Sequence, residues 1–261
     1  MMQATYANFP QRIGTIVARE RMTRFSASSI GYLWAFLNPI IWIAFVVLLF
    51  RFLQRTPPIH VGAEIFVATG ILPYVAFRGT VTTLSRAFAA HRYLLYIRPV
   101  STTDIIVSVS LLEGVNTLIT SLLIFGIVSL VFGAAGPAHP AIVLLGVLLA
   151  WVLGAGLGRF FAAISILSES FARMVPTLLR PFFWLSGIFY TATELPGQTQ
   201  ALLWYSPMLH VTEIMREGYF LGYVSPIVSV WMPLGVAAAL FIAAMPLEAY
   251  ARRTGAGKHR L

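Results

Sequence analysis

Three charged residues lie inside long apolar stretches of the sequence: Arg78, Glu113 and Arg159. A charge at the centre of a membrane is costly unless it faces protein or water. One interpretation is a polar path for an anionic substrate. The other, which we favour, is a structural ion pair between Glu113 and one of the arginines, because buried charges need partners. Both interpretations require helices that cross a membrane.

Catalytic and metal-binding patterns are missing from the sequence. The single lysine, Lys258, is followed by His259, whereas a phosphate-binding loop needs Ser or Thr after its lysine. The five histidines are scattered, and there is no cysteine. Thiolate chemistry and the common histidine metal motifs are therefore excluded. We predict no catalytic centre, no metal site and no cofactor in this chain.

The composition is that of an integral membrane protein. Of the 261 residues, 58% are hydrophobic and 10% are charged, and the mean hydropathy is +0.82. Apolar runs recur near the roughly 20 residues that a helix needs to cross a bilayer. We predict an all-α fold that forms a single membrane domain over residues 1–261. Its six transmembrane helices are predicted at 35–53, 63–85, 104–132, 141–167, 174–192 and 226–250.

Basic residues predict the orientation of these spans. Six spans place both termini on one side, and thirteen Arg or Lys residues lie on that side against three on the other. Positive charge accumulates on the cytoplasmic side, so both termini are expected in the cytoplasm. We attribute the net charge of +9 to topology rather than to nucleic-acid binding. A basic cytoplasmic face also suits anionic membrane lipids.

The connection at 193–225 between the last two spans is long and half apolar. Prolines and glycines divide it into pieces that are too short to span. We predict two short re-entrant helices held within protein, because broken backbone cannot face lipid. The alternative is a loop lying on the membrane surface. In the fourth span, the spacing of Gly154 and Gly158 predicts close helix packing, within or between chains.

Polar and aromatic residues recur on one face of two predicted spans. In the first span these are Asn38, Trp42 and Phe45, and in the fifth they are Phe183, Ser186 and Tyr190. Such faces are commonly used for helix packing or for an interfacial belt. Aromatic faces also suit the apolar C–H faces of sugar rings. The pattern alone leaves packing and a translocation path open.

Three segments carry a family resemblance that covers essentially the whole chain. They are RFSASSIGYLWAFLNP at 24–39, LLYIRPVSTTDII at 94–106 and WYSPMLHVTEIMREGY at 204–219. Together they resemble the membrane subunits of ABC-2 type exporters, in the branch that exports capsular polysaccharide and O-antigen. Ile30, Ser206 and Met208 depart from the family's usual residues, whereas Pro207 and Arg216 keep them.

The resemblance implies a homodimer that joins two copies of a cytoplasmic ATPase, which would bind the ATP and magnesium. Residues 1–33 would form an amphipathic interfacial helix that guards the substrate entrance, and Phe9, Ile13, Ile16 and Val17 do share one apolar face. Lipid headgroups would contact Arg12, Arg19 and Arg24, with a bend at Gly31. The loop 86–103 would couple to the ATPase through His91, Arg92, Tyr93, Leu94 and Leu95.

The sequence therefore predicts a permease subunit that exports a lipid-linked, acidic capsular polysaccharide across a bacterial inner membrane. Periplasmic and outer-membrane export partners are also expected. Related alternatives are an ABC-2 exporter of O-antigen, teichoic acid or small drugs. A different class is an ion-coupled secondary transporter that uses Arg78, Glu113 and Arg159 and needs no ATPase.

Overall fold

The chain folds into helices and the loops that join them. A computed structural model describes residues 9–26, 29–59, 61–91 and 100–253, leaving out the side chains of 21–26, 29–35, 169, 252 and 253. These ranges contain no β-strand, which confirms the predicted all-α class. The helices are α1 (Phe9–Ser26), α2 (Ser29–Phe52), α3 (Ala63–Ser85), α4 (Ala87–Ala90), α5 (Thr102–Phe132), α6 (Pro140–Leu167), α7 (Glu169–Leu178), α8 (Arg180–Leu185), α9 (Gly197–Leu203), α10 (Pro207–Tyr219) and α11 (Trp231–Arg253).

In the described part of the chain, four helices are long and apolar enough to cross a membrane: α3, α5, α6 and α11. Helices α3, α5 and α6 match the spans predicted at 63–85, 104–132 and 141–167 to within two residues, and α11 covers most of the span predicted at 226–250 but begins at Trp231. The first predicted span, 35–53, matches the later part of α2, which has 24 residues, begins at Ser29 and ends at Phe52. At about 1.5 Å per residue a helix of this length matches the hydrocarbon core. The chain is thus a multi-pass membrane protein.

The prediction of one continuous helix over 174–192 is wrong. The chain forms the two short helices α7 and α8 there, and helical geometry ends at Leu185. Pro176 lies inside α7, and Pro181 stands at the start of α8. Proline lacks a backbone N–H and clashes with the preceding turn, so it interrupts a helix. Gly187 then adopts the left-handed φ of 76°, which favours glycine and turns the chain.

Helix α6 lies at the centre of the fold and packs against α3, α10 and α11. Its glycines permit close approach. A Cβ atom at Gly158 would lie 2.7 Å from Cβ of Leu84 in α3, and one at Gly156 would lie 2.6 Å from the carbonyl oxygen of Ala237 in α11. Gly154 faces α3 in the same way. The Gly154 and Gly158 spacing therefore serves packing within the chain.

Replacing Gly158 by leucine should sharply lower the amount of folded protein in the membrane. The new side chain would overlap Leu84, and overpacking costs about 1–3 kcal/mol or more. Gly126→Leu is the matched control, because a Cβ at Gly126 of α5 meets no atom within 4 Å apart from the neighbouring backbone of its own helix. Size-exclusion chromatography of solubilised protein measures both variants. Equal yields would contradict the packing described for α6.

The region 193–225 contains the two predicted short helices, α9 and α10, which follow a 3₁₀ turn at Ala192–Glu194. Helix α10 is buried along almost its whole length and packs against α3 and α6. A loop lying on the membrane surface is therefore excluded for α10. Helix α9, in contrast, has no buried residue. Helix α10 therefore lies in the core of the protein, whereas α9 lies at its surface.

Helix α1 packs along the beginning of α5. Ile16 is buried in a cluster that includes Ile105 of α5, while Ile13 and Val17 are half-buried. Phe9 is 47% exposed at the start of the helix. The predicted apolar face therefore exists. In this chain it packs on the helix that follows the loop at 86–103.

Candidate translocation cavity

An aromatic cavity of about 620 Å³ lies between α2, α3 and α8. The Phe183 ring is its centre: Trp42 lies 5.4 Å from it and Tyr74 lies 5.2 Å from it, measured between ring centroids. Phe45 contacts Trp42 edge to face and is 57% exposed. The remaining lining residues are Val46, Leu49, Arg78, Arg180, Trp184 and Phe189. The cavity thus presents exposed ring faces next to cationic side chains.

The two arginines come from different helices. Arg78 lies one turn after Tyr74 on α3, and Arg180 is the first residue of α8. Within the described residues Arg78 forms no ion pair, and Arg180 is exposed. A guanidinium offers several N–H donors in a plane that fits carboxylate and phosphate groups. The arrangement can therefore hold an anionic group while aromatic rings contact the apolar face of a sugar.

The structure brings Trp42, Phe45 and Phe183 together, as the two predicted faces require. It does not bring the other three predicted path residues into this cavity. The hydroxyl of Ser186 is buried and donates to the Phe183 carbonyl, and the hydroxyl of Tyr190 donates to the Trp184 carbonyl. The helical face predicted for the fifth span is wrong because α8 ends at Leu185.

Of the aromatic and charged residues that line the cavity, four were missed in the sequence: Tyr74, Arg180, Trp184 and Phe189. Tyr74 could have been found, because it precedes Arg78 by four residues and so shares its face of α3. Arg180 was assigned to topology alone. Trp184 and Phe189 lie on either side of the end of α8, so their approach depends on a turn that periodicity does not predict.

Asn38 lines a different cavity, of about 170 Å³, on the side of α2 that faces α5. Glu113 supplies its carboxylate and is buried. Amide and hydroxyl groups complete the polar lining: Asn116, Thr117, Thr120 and Ser121. No group of three His, Asp or Glu side chains in the described part of the chain could hold a metal ion. This cavity is polar but much smaller than the aromatic one.

A still larger cavity, of about 720 Å³, lies between residues 59–65, 134–138 and 219–221, where loops join the ends of helices. Its described lining is mostly aliphatic and contains no charged side chain. Size alone therefore does not select the candidate site. The aromatic cavity is preferred because it combines ring faces with two guanidinium groups.

The sequence matches the ABC-2 type transporter family over residues 11–220, which is most of the chain. The chain belongs to the ABC-2 type transporter family. The family resemblance inferred from the three sequence segments is thereby confirmed. ABC-2 proteins are transport permeases, so the chain belongs to a transport family rather than to a family of enzymes.

Named relatives of this ABC-2 protein are export proteins. The polysialic acid transport protein KpsM of Escherichia coli is 28% identical, over 83% of this chain and 84% of its own. The capsule polysaccharide export inner-membrane protein BexB of Haemophilus influenzae is 28% identical, over 80% and 78%. The O-antigen export system permease protein RfbA of Myxococcus xanthus is 24% identical, over 71% and 70%.

Arg216, in the third family segment of this ABC-2 protein, is fully buried. Its guanidinium donates to the carbonyl oxygens of Tyr190 at 2.6 Å and Gly187 at 2.7 Å. It also pairs with Glu213 at 3.0 Å. The side chain lies 4.3 Å from the ring centroid of Phe66 in α3. Arg216 thus supplies hydrogen-bond donors to the non-helical turn that follows α8.

The same cluster is closed by Tyr223, whose hydroxyl donates to Glu213 at 2.5 Å. Burial and the nearby Glu213 carboxylate raise the pKa of Tyr223, so the phenol stays protonated and remains a donor. The Glu213 carboxylate is fully buried, and its burial without these two partners would cost free energy. The cluster therefore fixes α10 to α3 and to the turn at 187–190 that follows α8.

The prediction of an ion pair between Glu113 and an arginine is wrong in the case of Arg159. Arg159 pairs instead with Glu248 of α11 at 2.9 Å, and both side chains are buried. The Arg159 guanidinium also lies 4.0 Å from the ring centroid of Phe241. The hydroxyl of Thr102, the first residue of α5, donates to Glu248 at 3.2 Å. Glu248 was missed because it lies near the end of the last predicted span.

Replacing Glu248 by glutamine should lower the melting temperature of the solubilised protein by several degrees. The change leaves the buried Arg159 without its counter-charge, and breaking one side of a buried pair costs about 3–5 kcal/mol. The double variant Arg159→Met/Glu248→Met removes both charges and should recover part of the loss. A double variant that melts as low as the single one would contradict the pairing.

The residues predicted at the cytoplasmic side lie in several places. Arg12 pairs with Asp104 at 3.2 Å, while Arg19 is exposed on α1. His91 is buried and bonded to Glu20 at 2.8 Å. Arg24 and Gly31 lie in α1 and α2, and their surroundings fall outside the described residues. The other predicted coupling residues also fall outside them: Arg92, Tyr93, Leu94 and Leu95.

Proposed function

We propose that this ABC-2 protein is the membrane subunit of an ATP-driven exporter that moves a lipid-linked, acidic capsular polysaccharide across a bacterial inner membrane. The observation that carries the proposal is the aromatic cavity with Arg78 and Arg180 in its lining. Its rings suit sugar C–H faces, and its guanidinium groups suit carboxylates. The family and the printed names of KpsM and BexB support the same class of substrate.

The acidic substrate follows from the charges of the cavity. Its described lining contains two arginines and no Asp or Glu side chain. A neutral polymer would offer these cations only uncharged acceptors, whereas a polymer with a carboxylate on each sugar would form stronger, charge-assisted hydrogen bonds with them. KpsM is named for polysialic acid, a polymer of this kind. The positive cavity therefore favours an anionic chain.

The proposed assembly is a homodimer with two copies of a separate cytoplasmic ATPase, which bind ATP and magnesium. Each protomer crosses the membrane six times, with α7 and α8 together forming the fifth crossing and both termini in the cytoplasm. Helices α9 and α10 enter the outer leaflet from outside. Helix α1 lies at the cytoplasmic entrance, where Arg19 and Arg24 meet lipid headgroups. Periplasmic and outer-membrane partners would carry the polymer onward.

O-antigen is the second candidate substrate, because RfbA of Myxococcus xanthus is a relative of this chain. Both substrates would use the same aromatic rings. They differ in the need for cations, since a neutral O-antigen would depend on the rings and not on Arg78 and Arg180. Comparing polymers with and without carboxylates on one purified complex would separate the two candidates.

A deletion experiment in the source bacterium tests the proposal. Cells without this chain should lose surface polysaccharide and accumulate lipid-linked polymer in the cytoplasm, and the wild-type chain should reverse both effects. Pull-down of the tagged chain should recover an ABC ATPase. Export that continues after loss of that ATPase would instead support an ion-coupled transporter.

A further inference from the structure

One face of α1 carries two charged residues, one on each side of a buried isoleucine. Arg12, Ile16 and Glu20 follow one another at intervals of four residues, so they form a single stripe along the helix. Eight residues of α-helix span about 12 Å at about 1.5 Å per residue. Ile16, in the middle of the stripe, packs in the buried hydrophobic cluster. The two charges therefore reach two separate points of the protein.

Arg12 binds the first turn of α5. Its Nε atom lies 3.2 Å from Oδ2 of Asp104, whose side chain is 1% exposed. Asp104 also caps α5, because its Oδ2 accepts from the backbone N–H of Ser101 at 2.9 Å. The Ser101 hydroxyl in turn accepts from the Asp104 N–H at 3.1 Å. Arg12 therefore attaches α1 to the residues that fix the start of α5.

Glu20 binds the residue that follows α4. Its Oε2 atom lies 2.8 Å from Nε2 of His91, and Nδ1 of His91 lies 2.9 Å from the Ala87 carbonyl oxygen. Both ring nitrogens thus face oxygen acceptors, and an imidazole satisfies two acceptors only when both nitrogens carry a proton. The contact therefore joins His91 to the Glu20 carboxyl group directly, and the His91 side chain is 7% exposed.

These two contacts stand at the two ends of one chain segment. His91 immediately precedes residues 92–99, and Ser101 and Asp104 follow them. Helix α1 thus bridges both ends of the predicted coupling loop without being next to it in the sequence. Beside Asp104, Thr102 donates to Glu248, which holds Arg159 of α6. The start of α5 therefore contacts α1, α6 and α11 through charged or polar groups.

We propose that Arg12, Glu20, His91 and Asp104 form a clamp, the α1 clamp, that makes the N-terminal helix move together with both ends of the segment 92–99. The proposal rests on the proposed function, in which an ATPase pushes on that segment. The four residues are positioning residues: they bind neither ATP nor polymer. Their role is to convert a displacement of the loop into a displacement of α1 at the entrance.

His91 was predicted to contact the ATPase directly. Its burial and its bond to Glu20 give it a different role, because a side chain turned toward α1 offers little surface to a partner. In the α1 clamp, His91 therefore contacts α1 and not the ATPase. A push on the loop reaches Glu20 through His91 and reaches Arg12 through Asp104.

A charge-exchange cycle at Glu20 and His91 tests the clamp in the complex with its ATPase, reconstituted in vesicles. Glu20→Lys replaces the carboxyl group that faces His91 by an ammonium group, and His91→Glu places two carboxylates together. Each single variant should lower the polymer exported per ATP hydrolysed by at least about fivefold. The double variant Glu20→Lys/His91→Glu restores an ion pair and should recover at least half of the wild-type ratio.

Arg12→Glu is the second variant, and it should lower the same ratio while the complex still assembles. Arg173→Glu is the matched control, because Arg173 is exposed on α7 and takes no part in the clamp. A merely structural role would lower assembly, ATP hydrolysis and export together and would leave their ratio unchanged. The proposal is overturned by wild-type ratios in the single variants, or by a double variant no better than the worse single one.

The same experiment separates the clamp from the proposed function. Wild-type vesicles that export no polymer with ATP would refute the proposed function itself. Wild-type vesicles that export normally, together with clamp variants that keep the wild-type ratio, would refute only the clamp.

Discussion

Replacing Arg216 by methionine should abolish the folded protein. The substitution leaves Glu213 buried with its charge uncompensated and removes the donors for the carbonyl groups of Gly187 and Tyr190. Breaking a buried ion pair costs about 3–5 kcal/mol, and each lost buried hydrogen bond adds about 1–3 kcal/mol. The total is comparable with the entire stability of many domains. We expect no monodisperse protein after solubilisation.

Two comparisons make this result specific to the buried cluster. Arg173→Met removes an exposed arginine and should leave yield and melting temperature unchanged. Arg216→Met/Glu213→Gln removes the uncompensated carboxylate as well and should recover measurable folded protein, because Tyr223 can still donate to the amide oxygen. Wild-type yield of the single variant would contradict the role assigned to Arg216.

The largest expected effect on transport comes from the two cavity arginines. Arg78→Gln/Arg180→Gln should lower export of an acidic polymer by at least about tenfold while the complex with the ATPase stays intact. A hydrogen bond to a charged group contributes about 1.5–3 kcal/mol, and 1.4 kcal/mol corresponds to a factor of ten. The loss should appear in polymer-stimulated ATP hydrolysis and in export alike.

Arg173→Gln is the control for this variant, since it removes a cation close in sequence but outside the cavity lining. A neutral polymer provides the second control and should be exported equally well by the wild type and the double glutamine variant. An acidic polymer that is exported at the wild-type rate by the variant would show that the two guanidinium groups do not bind it.

Much of the fold could be predicted because a long apolar run in a membrane is stable as a spanning helix. Helices α3, α5, α6 and α11 coincide with predicted spans, and the Gly154 and Gly158 spacing correctly predicted close packing. The fifth span was mispredicted because its hydropathy was given more weight than the two prolines inside it, Pro176 and Pro181. A proline in an apolar run is compatible with a span, so composition alone could not locate the break.

The candidate site could be predicted only in part. Trp42, Phe45 and Phe183 were found because they lie on regular helix, where spacing defines a face. Ser186 and Tyr190 were misplaced because α8 ends at Leu185 and the chain turns at Gly187. The partner of Arg159 could not be found, since pairing Glu248 with α6 depends on how α11 packs. Periodicity describes one helix at a time, whereas ion pairs between helices depend on their assembly.

ATP-driven export in vesicles tests the central claim most directly. The chain and its ABC ATPase would be reconstituted with a lipid-linked acidic polysaccharide, and polymer on the far side of the membrane would be measured over time. We predict that polymer crosses only with ATP and with both subunits present, and that the Arg78→Gln/Arg180→Gln variant transports it at least about tenfold more slowly. Transport without the ATPase, or no transport of any lipid-linked polysaccharide by the complete complex, would contradict the account.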